Sequence, residues 1–309
     1  MIIAILLLTG LLAPLSAQKR MAITVDDLPL AGGPRSLAVA RAVTARTLAA
    51  FREHAAGTTA FVNERQLQIP GERDAWVSLL ENWLDAGHTL GNHTFSHPDL
   101  NNSTLADYQD DVIRGEVVTR ALMRQRGHTR FYFRHPFTHA GETREKKEGL
   151  ENFLTDRGYT IAPFTVEHAD YWFADLWRRL KDRGDKASAE KVRAAYLAHL
   201  DTVLDYYEAL SRLYFGRDIA QILLIHANGL NAECLPAMLD SMKRRGYQFV
   251  TLDQAMDDPA YRTPDRWIGR NGPSWLHRWS VALGQPFDLA NEPDPPKWLF
   301  ELNKATPSP

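Results

Sequence analysis

The chain of 309 residues has a single cysteine, Cys234, so it can form no internal disulfide and build no cysteine-rich zinc site. Charge of one sign is also scarce. A formal net charge of −2 leaves no basic excess to favour nucleic acid and no acidic block to mark a disordered tail. There is no internal repeat and no low-complexity linker. The His-Glu-x-x-His helix of one large metallohydrolase class is missing too, because Thr94 stands where its glutamate would be. What is present is ordinary for a protein with a real core: 44% hydrophobic and 24% charged residues.

The first residues, MIIAILLLTGLLAPLSAQKR, depart from that composition. An apolar run ends in small residues at Ser16 and Ala17, the pattern of an export signal cleaved after Ala17. The alternative is an uncleaved membrane anchor, although the run is short for a span. Either reading carries the folded part across a membrane and predicts a periplasmic or secreted protein, with no stable membrane span after cleavage. Residues 1–17 are therefore set apart from the fold.

From Arg20 to about Met256 strand-like and helix-like segments alternate. RMAITVDD, TTAFVN, HTLGNH, RFYFRHP, YTIAPFTVEHAD, QILLIHAN and YQFVTLD are rich in β-branched and aromatic residues, as strands are. Between them lie helical patterns over residues 36–55, 72–87, 103–127 and 232–246. Ser36 and Ser103 or Thr104 are expected as N-caps, and Gly87 as the glycine just past a helix end. Such alternation predicts an α/β fold of parallel strands with right-handed crossovers. About seven units favour a closed or nearly closed barrel over an open sheet. Residues 172–216 read as a helical insertion of one or two amphipathic helices. Residues 259–309 form a Trp- and Pro-rich extension packed on the barrel, beyond a main unit of residues 18–258.

In parallel α/β barrels the chemistry gathers where strands end. Here the strand ends carry Asp26 and Asp27, then His93 with His97 four positions on, then Arg134, Asp170 and His226. Each has an ordinary explanation alone. Two aspartates cap turns, an arginine makes a structural ion pair, and a histidine hydrogen-bonds in a core. Their coincidence on one face is the informative fact, since burying so many ionisable groups unpaired is costly. One carboxylate and two imidazoles make a three-ligand cation site with open positions, the catalytic pattern. A second carboxylate can take a proton from water, and a free histidine can protonate a leaving group. Arg134 and Asp170 can orient and tune those two. The set suits hydrolysis of an amide or ester.

TVDD (24–27), HTFSH (93–97), RHPF (134–137), the Asp-Tyr-Trp of 170–172 and LLIH (223–226) resemble, in order, the five motifs of the polysaccharide deacetylases, carbohydrate esterase family 4 with the NodB-homology fold. The resemblance runs over residues 20–256. It implies a distorted (β/α) barrel of about seven parallel strands with a divalent metal, zinc most often, with cobalt, nickel or manganese as alternatives. Asp27, His93 and His97 would be its ligands, Asp26 the general base and His226 the general acid. Arg134 would orient Asp26, and Asp170 would tune His226. Leu224 would line an acetyl pocket, Trp172 would wall the groove, and the backbone N–H of Phe137 would face the oxyanion. Leu28-Pro29 replaces the family's Gly-Pro, Thr138 stands in place of a glycine, and Tyr171 separates Asp170 from Trp172.

The function expected is removal of acetyl groups from a glycan, at nitrogen or oxygen, with the acetylated glycan as partner and no nucleic acid. The alternatives are an amidohydrolase acting on C–N bonds of a small non-sugar molecule, and a glycan-binding relative without chemistry. His128, His135, His139 and His277 are assigned surface roles.

Overall fold

The computed structural model describes residues 18–287 and 289–307, so the N-terminal apolar run lies outside the described residues. All seven expected strands form: β1 Lys19–Leu28, β2 Thr58–Val62, β3 Thr89–Asn92, β4 Phe131–Phe133, β5 Tyr159–Ile161, β6 Gln221–His226 and β7 Tyr247–Phe249. They make one parallel sheet in the order β5-β4-β3-β2-β1-β6. β7 pairs with the first residues of β1, before β2 takes over that edge at Ile23. Met21, Ala22, Ile23 and Val25 are each no more than 1% exposed, as expected of a strand covered on both faces.

The sheet closes on itself through a narrow seam. Beyond β5 the chain runs on, and Thr165 and Val166 both donate to the Ile222 carbonyl, at 2.9 and 3.0 Å. Leu224 N–H answers with a bond to the Val166 carbonyl at 3.0 Å. A single bridge, Val166 to Leu223, joins the two edges. The result is the distorted parallel barrel that the sequence predicts.

The helices follow the pattern, with one informative departure. α1 (Leu37–Glu53) starts at Ser36, which accepts from Val39 N–H, and α2 (Arg73–Asp85) is followed by Gly87 at φ +83°. Residues 103–127, read as one helix, are two: α3 (Leu105–Arg114), capped by Thr104, and α4 (Val117–Gln125). Two forces make the break. The buried carboxylate of Glu64 accepts from Val118 and Thr119 N–H, capping α4 from another part of the chain. Gly115 lies against the backbone of Thr94 and Phe95, where a β-carbon would stand 2.3 Å from the Thr94 carbonyl carbon.

α5 (Arg144–Asp156) crosses to β5. The long connection after β5 forms α6 (Asp170–Asp182) and α7 (Lys186–Phe215), the latter 30 residues long. α8 (Gly229–Arg244), capped by Asn228, returns to β7, and the short α9 (Leu252–Met256) follows. The C-terminal extension contains α10 (Trp275–Leu283) and α11 (Lys297–Ala305). It does more than wrap the surface: Trp275 N–H bonds the Phe164 carbonyl at 2.9 Å, Ser274 Oγ bonds the Thr165 carbonyl at 2.7 Å, and Arg278 is fully buried. Two surface assignments are corrected here: His135 is 2% exposed, and His277, itself part of α10, is 0% exposed. His277 is bonded to Tyr206. Among the described residues no helix is long and apolar enough to cross a membrane.

The contact at Gly115 gives a test. Gly115→Ala is expected to cost about 1–3 kcal/mol, the usual range for overpacking a tight site. Chemical denaturation measures it, and an unchanged midpoint would show that the Thr94–Phe95 backbone gives way freely.

Candidate active site

β1 delivers both aspartates to the mouth of the barrel. Asp26 still belongs to the ladder, with its Cα opposite that of His226 on β6. Asp27 adopts a left-handed φ of 66°, which breaks the strand's alternation. Both carboxylates therefore approach the same imidazole: His93 Nε2 lies 4.0 Å from Asp26 Oδ2 and 3.5 Å from Asp27 Oδ1. His97 Nε2 stands 3.5 Å from that same Asp27 oxygen.

His93 and His97 are not placed by the helical turn their spacing suggests. β3 stops at Asn92, and residues 93–99 form an irregular loop with Thr94 and His97 at φ 66° and 62°. Side chains hold that loop. Asn92 Oδ1 accepts from Thr94 N–H at 2.6 Å, and Thr94 Oγ1 from His97 N–H at 3.1 Å. Asp111 of α3 takes both the N–H and the hydroxyl of Ser96, at 2.8 and 2.7 Å. Left-handed non-glycine residues are costly and persist only where their surroundings over-determine them.

Asp27, His93 and His97 form a group whose ligand atoms all lie within 4.8 Å of one another. Three observations fit a cation there. Asp27 Oδ1 is buried and accepts no hydrogen bond among the described residues. His93 Nδ1 is 2.8 Å from the Arg134 carbonyl, so it must carry the proton and leave the Nε2 lone pair facing Asp27. Burial, reinforced by His97, pushes His93 well below its ordinary pKa, so the ring is neutral as a ligand must be.

Asp26 is 2% exposed and held by Arg134, which is itself fully buried. The guanidinium spends all its arms. Nη1 reaches Asp26 Oδ2 at 3.4 Å, Nη2 reaches Thr24 Oγ1 at 3.0 Å and the Pro163 carbonyl at 3.2 Å, and Nε reaches the Ala162 carbonyl at 2.9 Å. Phe61 and Phe164 flank it at 4.8 and 5.7 Å. Burial pushes the Asp26 carboxyl above its ordinary pKa, and Arg134 and His226 pull it only part of the way back. Asp26 Oδ1 has no partner among the described residues. A buried carboxylate with a raised pKa and a free oxygen is equipped to take a proton.

On the other side of the mouth His226 Nδ1 bonds Asp170 Oδ1 at 2.7 Å. The other oxygen of Asp170 accepts from His226 N–H at 2.9 Å, from Asn228 Nδ2 at 3.1 Å and from Asn231 Nδ2. Burial alone would lower His226. The charge and hydrogen bond of Asp170, with Asp27 and Asp26 behind them, override it and lift the imidazolium to about 10. Burial would raise Asp170, but the same partnership holds it far below the usual carboxylate range.

The remaining expected residues occupy different places. The Phe137 ring, 54% exposed, packs edge-on against His97 at 4.5 Å. Phe137 and Thr138 both sit at positive φ, 54° and 57°, so Thr138 adopts the left-handed backbone that favours glycine. The Thr138 carbonyl is tied down by Arg278 of the extension at 2.6 Å. Leu224, 2% exposed, lies two residues before His226 on β6, with its Cα opposite Thr24. Trp172 turns toward the extension, 5.3 Å from Phe300. Tyr171 is the aromatic beside His226, at 6.2 Å, and sequence reasoning passed over it. It also passed over Asn228 and Asn231, whose only sequence signal is their position just after LLIH.

Residues 15–153 match the family model for polysaccharide deacetylase, which bears out the resemblance carried by the motifs. A chitin deacetylase of Colletotrichum lindemuthianum is 25% identical over 181 residues, 59% of this chain and 60% of its own. The peptidoglycan-N-acetylglucosamine deacetylase PgdA of Listeria monocytogenes is 24% identical over 237 residues, 76% of this chain and 38% of its own. The chain thus spans less than two thirds of either relative. Among solved structures, a CE4 family pseudoenzyme from Bacillus anthracis is similar with a TM-score of 0.54 at 17% identity, over 78% of this chain and 66% of that one. A mutant of it with restored enzymatic activity gives the same TM-score. At this identity the likeness establishes the fold alone.

Two outcomes follow from the charges. Arg134→Met strands a buried Asp26 and is expected to cost about 3–5 kcal/mol in denaturant unfolding; a loss below ~1 kcal/mol would mean that Asp26 is not held by this pair. The folded-state pKa of His226, about 10, lies above that of a free imidazole. Its contribution to stability is therefore complete below pH ~6.5 and lost as the pH rises through about 10. In chelator-treated protein, melting temperature should decline between pH 7 and 10 more steeply than in His226→Gln, and parallel curves would refute the pairing.

Proposed function

We propose that this relative of the polysaccharide deacetylases is a metal-dependent hydrolase that removes acetyl groups from a glycan outside the cytoplasm. One observation carries the reading. Asp26 and His226 face each other in register across β1 and β6, one a buried carboxylate with a free oxygen, the other a charged imidazolium, with the Asp27, His93 and His97 cluster beside them.

Asp27, His93 and His97 would hold the cation, most suitably zinc, with cobalt, nickel or manganese also compatible with the donor set. When bound, a divalent ion supplies electrophilic polarisation of a carbonyl and lowers the pKa of water. The chain's own residues do the rest. Asp26 takes a proton from the attacking water, and its raised pKa makes it a better acceptor. Arg134 keeps that carboxylate in place through the change of charge. His226 gives its proton to the departing amine or alkoxide, and Asp170 stabilises it while charged. The Phe137 N–H faces the developing oxyanion, and Leu224 lines the space for the acyl methyl.

The rim supports a sugar polymer. Of the large hydrophobic side chains exposed among the described residues, the aromatic ones are Phe137, Tyr171 and Trp172, each adjoining the mouth in sequence or space. Flat apolar faces around an open polar site suit the stacking of pyranose rings. The chitin and peptidoglycan deacetylases among the relatives point to an acetylated amino sugar. The apolar leader of residues 1–17 is in keeping with export.

The zinc-loaded protein should release acetate from at least one of chitooligosaccharide, peptidoglycan and acetylated xylan. Chelator should abolish the activity and zinc restore it. Asp26→Asn should lower kcat by about 10²–10⁴ with the metal retained, the usual worth of a general base. Absence of acetate from all three substrates would remove the glycan reading, and release of ammonia from a small amide would put an amidohydrolase in its place.

A further inference from the structure

The acid side of the site is braced from behind by a buried polar chain that runs through the helical insertion. Asn231, on α8, directs Nδ2 at two acceptors, Asp170 Oδ2 and the His226 carbonyl, the latter at 2.8 Å. Its Oδ1 accepts from the hydroxyl of Tyr196 on α7. That hydroxyl lies 2.7 Å from His168 Nε2. Asp170, His168, Tyr196 and Asn231 are each no more than 3% exposed.

We propose that Tyr196 and Asn231 are positioning residues for the Asp170–His226 pair, which makes the inserted helix α7 a working part of the proton-donating half of the site. This rests on the reading of His226 as proton donor.

Counting donors and acceptors fixes the direction of every bond. An Asn231 amide turned the other way would set Oδ1 against a carboxylate and a carbonyl at once. The Tyr196 hydroxyl prevents that by donating to Oδ1, and its one proton is then spent. His168 must therefore donate from Nε2. Burial lowers His168 to about 4 against the pull of Asp170, so the ring is neutral with one proton to give. Its Nδ1 is buried with no partner among the described residues, so a proton placed there would find no acceptor. Each donor in the chain points toward Asp170, and the polarisation accumulates there. Oδ2 is saturated by three donors, which leaves Oδ1 to the imidazole of His226 alone. Without the Tyr196 hydroxyl the amide is free to turn, and an acceptor would then face Asp170.

The test uses the full-length, metal-loaded protein with Tyr196→Phe and Asn231→Ala. Tyr196→Phe should lower kcat for acetate release about tenfold, the scale of one buried hydrogen bond lost, with KM nearly unchanged. In the substrate-free protein the low-field proton resonance of His226 Nδ1–H should shift or broaden. Asn231→Ala should do both more strongly; if it does not fold, the near-isosteric Tyr196→Phe decides alone. A merely structural role would lower the melting temperature and leave kcat and the resonance as they were, and that result overturns the proposal. If the parent protein releases no acetate, the resonance still decides whether the chain positions His226, so failure of the glycan reading is distinguishable from failure of this one.

Discussion

The site depends on one buried guanidinium. Arg134 neutralises Asp26, and its backbone carbonyl accepts the hydrogen bond of His93 Nδ1–H, so the same residue fixes a candidate base and the tautomer of a candidate ligand. Its remaining donors end on Thr24, Ala162 and Pro163, which joins the first strand to the segment that closes the barrel. Burying a cation so completely is favourable only because every arm finds an acceptor and a carboxylate lies within reach. Removing any partner leaves a charge or a donor stranded in a medium that cannot solvate it.

Around that centre the backbone is held in conformations it would not choose. Asp27 near the end of β1, and Thr94, His97, Phe137, Thr138 and Ala169 in the loops that follow other strands, all lie at positive φ. The cost is spread among neighbours: Asp111 and Thr94 hold the histidine loop, and Arg278 holds Thr138. A rigid parallel barrel supplies the frame, and irregular loops at its carboxyl ends hold most of the candidate site.

The sequence was legible where a residue type and its period carry the information. β-branched runs marked the seven strands, and the ionisable residues at their ends converge as expected. The resemblance to the deacetylases, met first in five short motifs, agrees with the family model and with the fold. It was illegible where distant parts of the chain decide. The break between α3 and α4 depends on Glu64, more than fifty residues away, and on a glycine pressed against another loop. A spacing of four between His93 and His97 suggested a helical turn, yet side-chain bonds and positive φ replace it. His135 and His277 looked like surface histidines because nothing in the sequence shows that the extension, to which His277 itself belongs, packs into the fold. Tyr171 stands beside His226 while Trp172 leans on Phe300, a choice made by α11 and invisible in the dipeptide.

The C-terminal extension has a consequence for engineering. The five motifs end well before residue 258, which invites a minimal module cut there. Such a cut would take away Arg278, the donor to the Thr138 carbonyl, and the strand-like bond from Trp275 to Phe164. It would also take away Phe300, the prop of Trp172. The mouth of the barrel is thus shared property of barrel and tail, and the motifs alone are not a portable cassette.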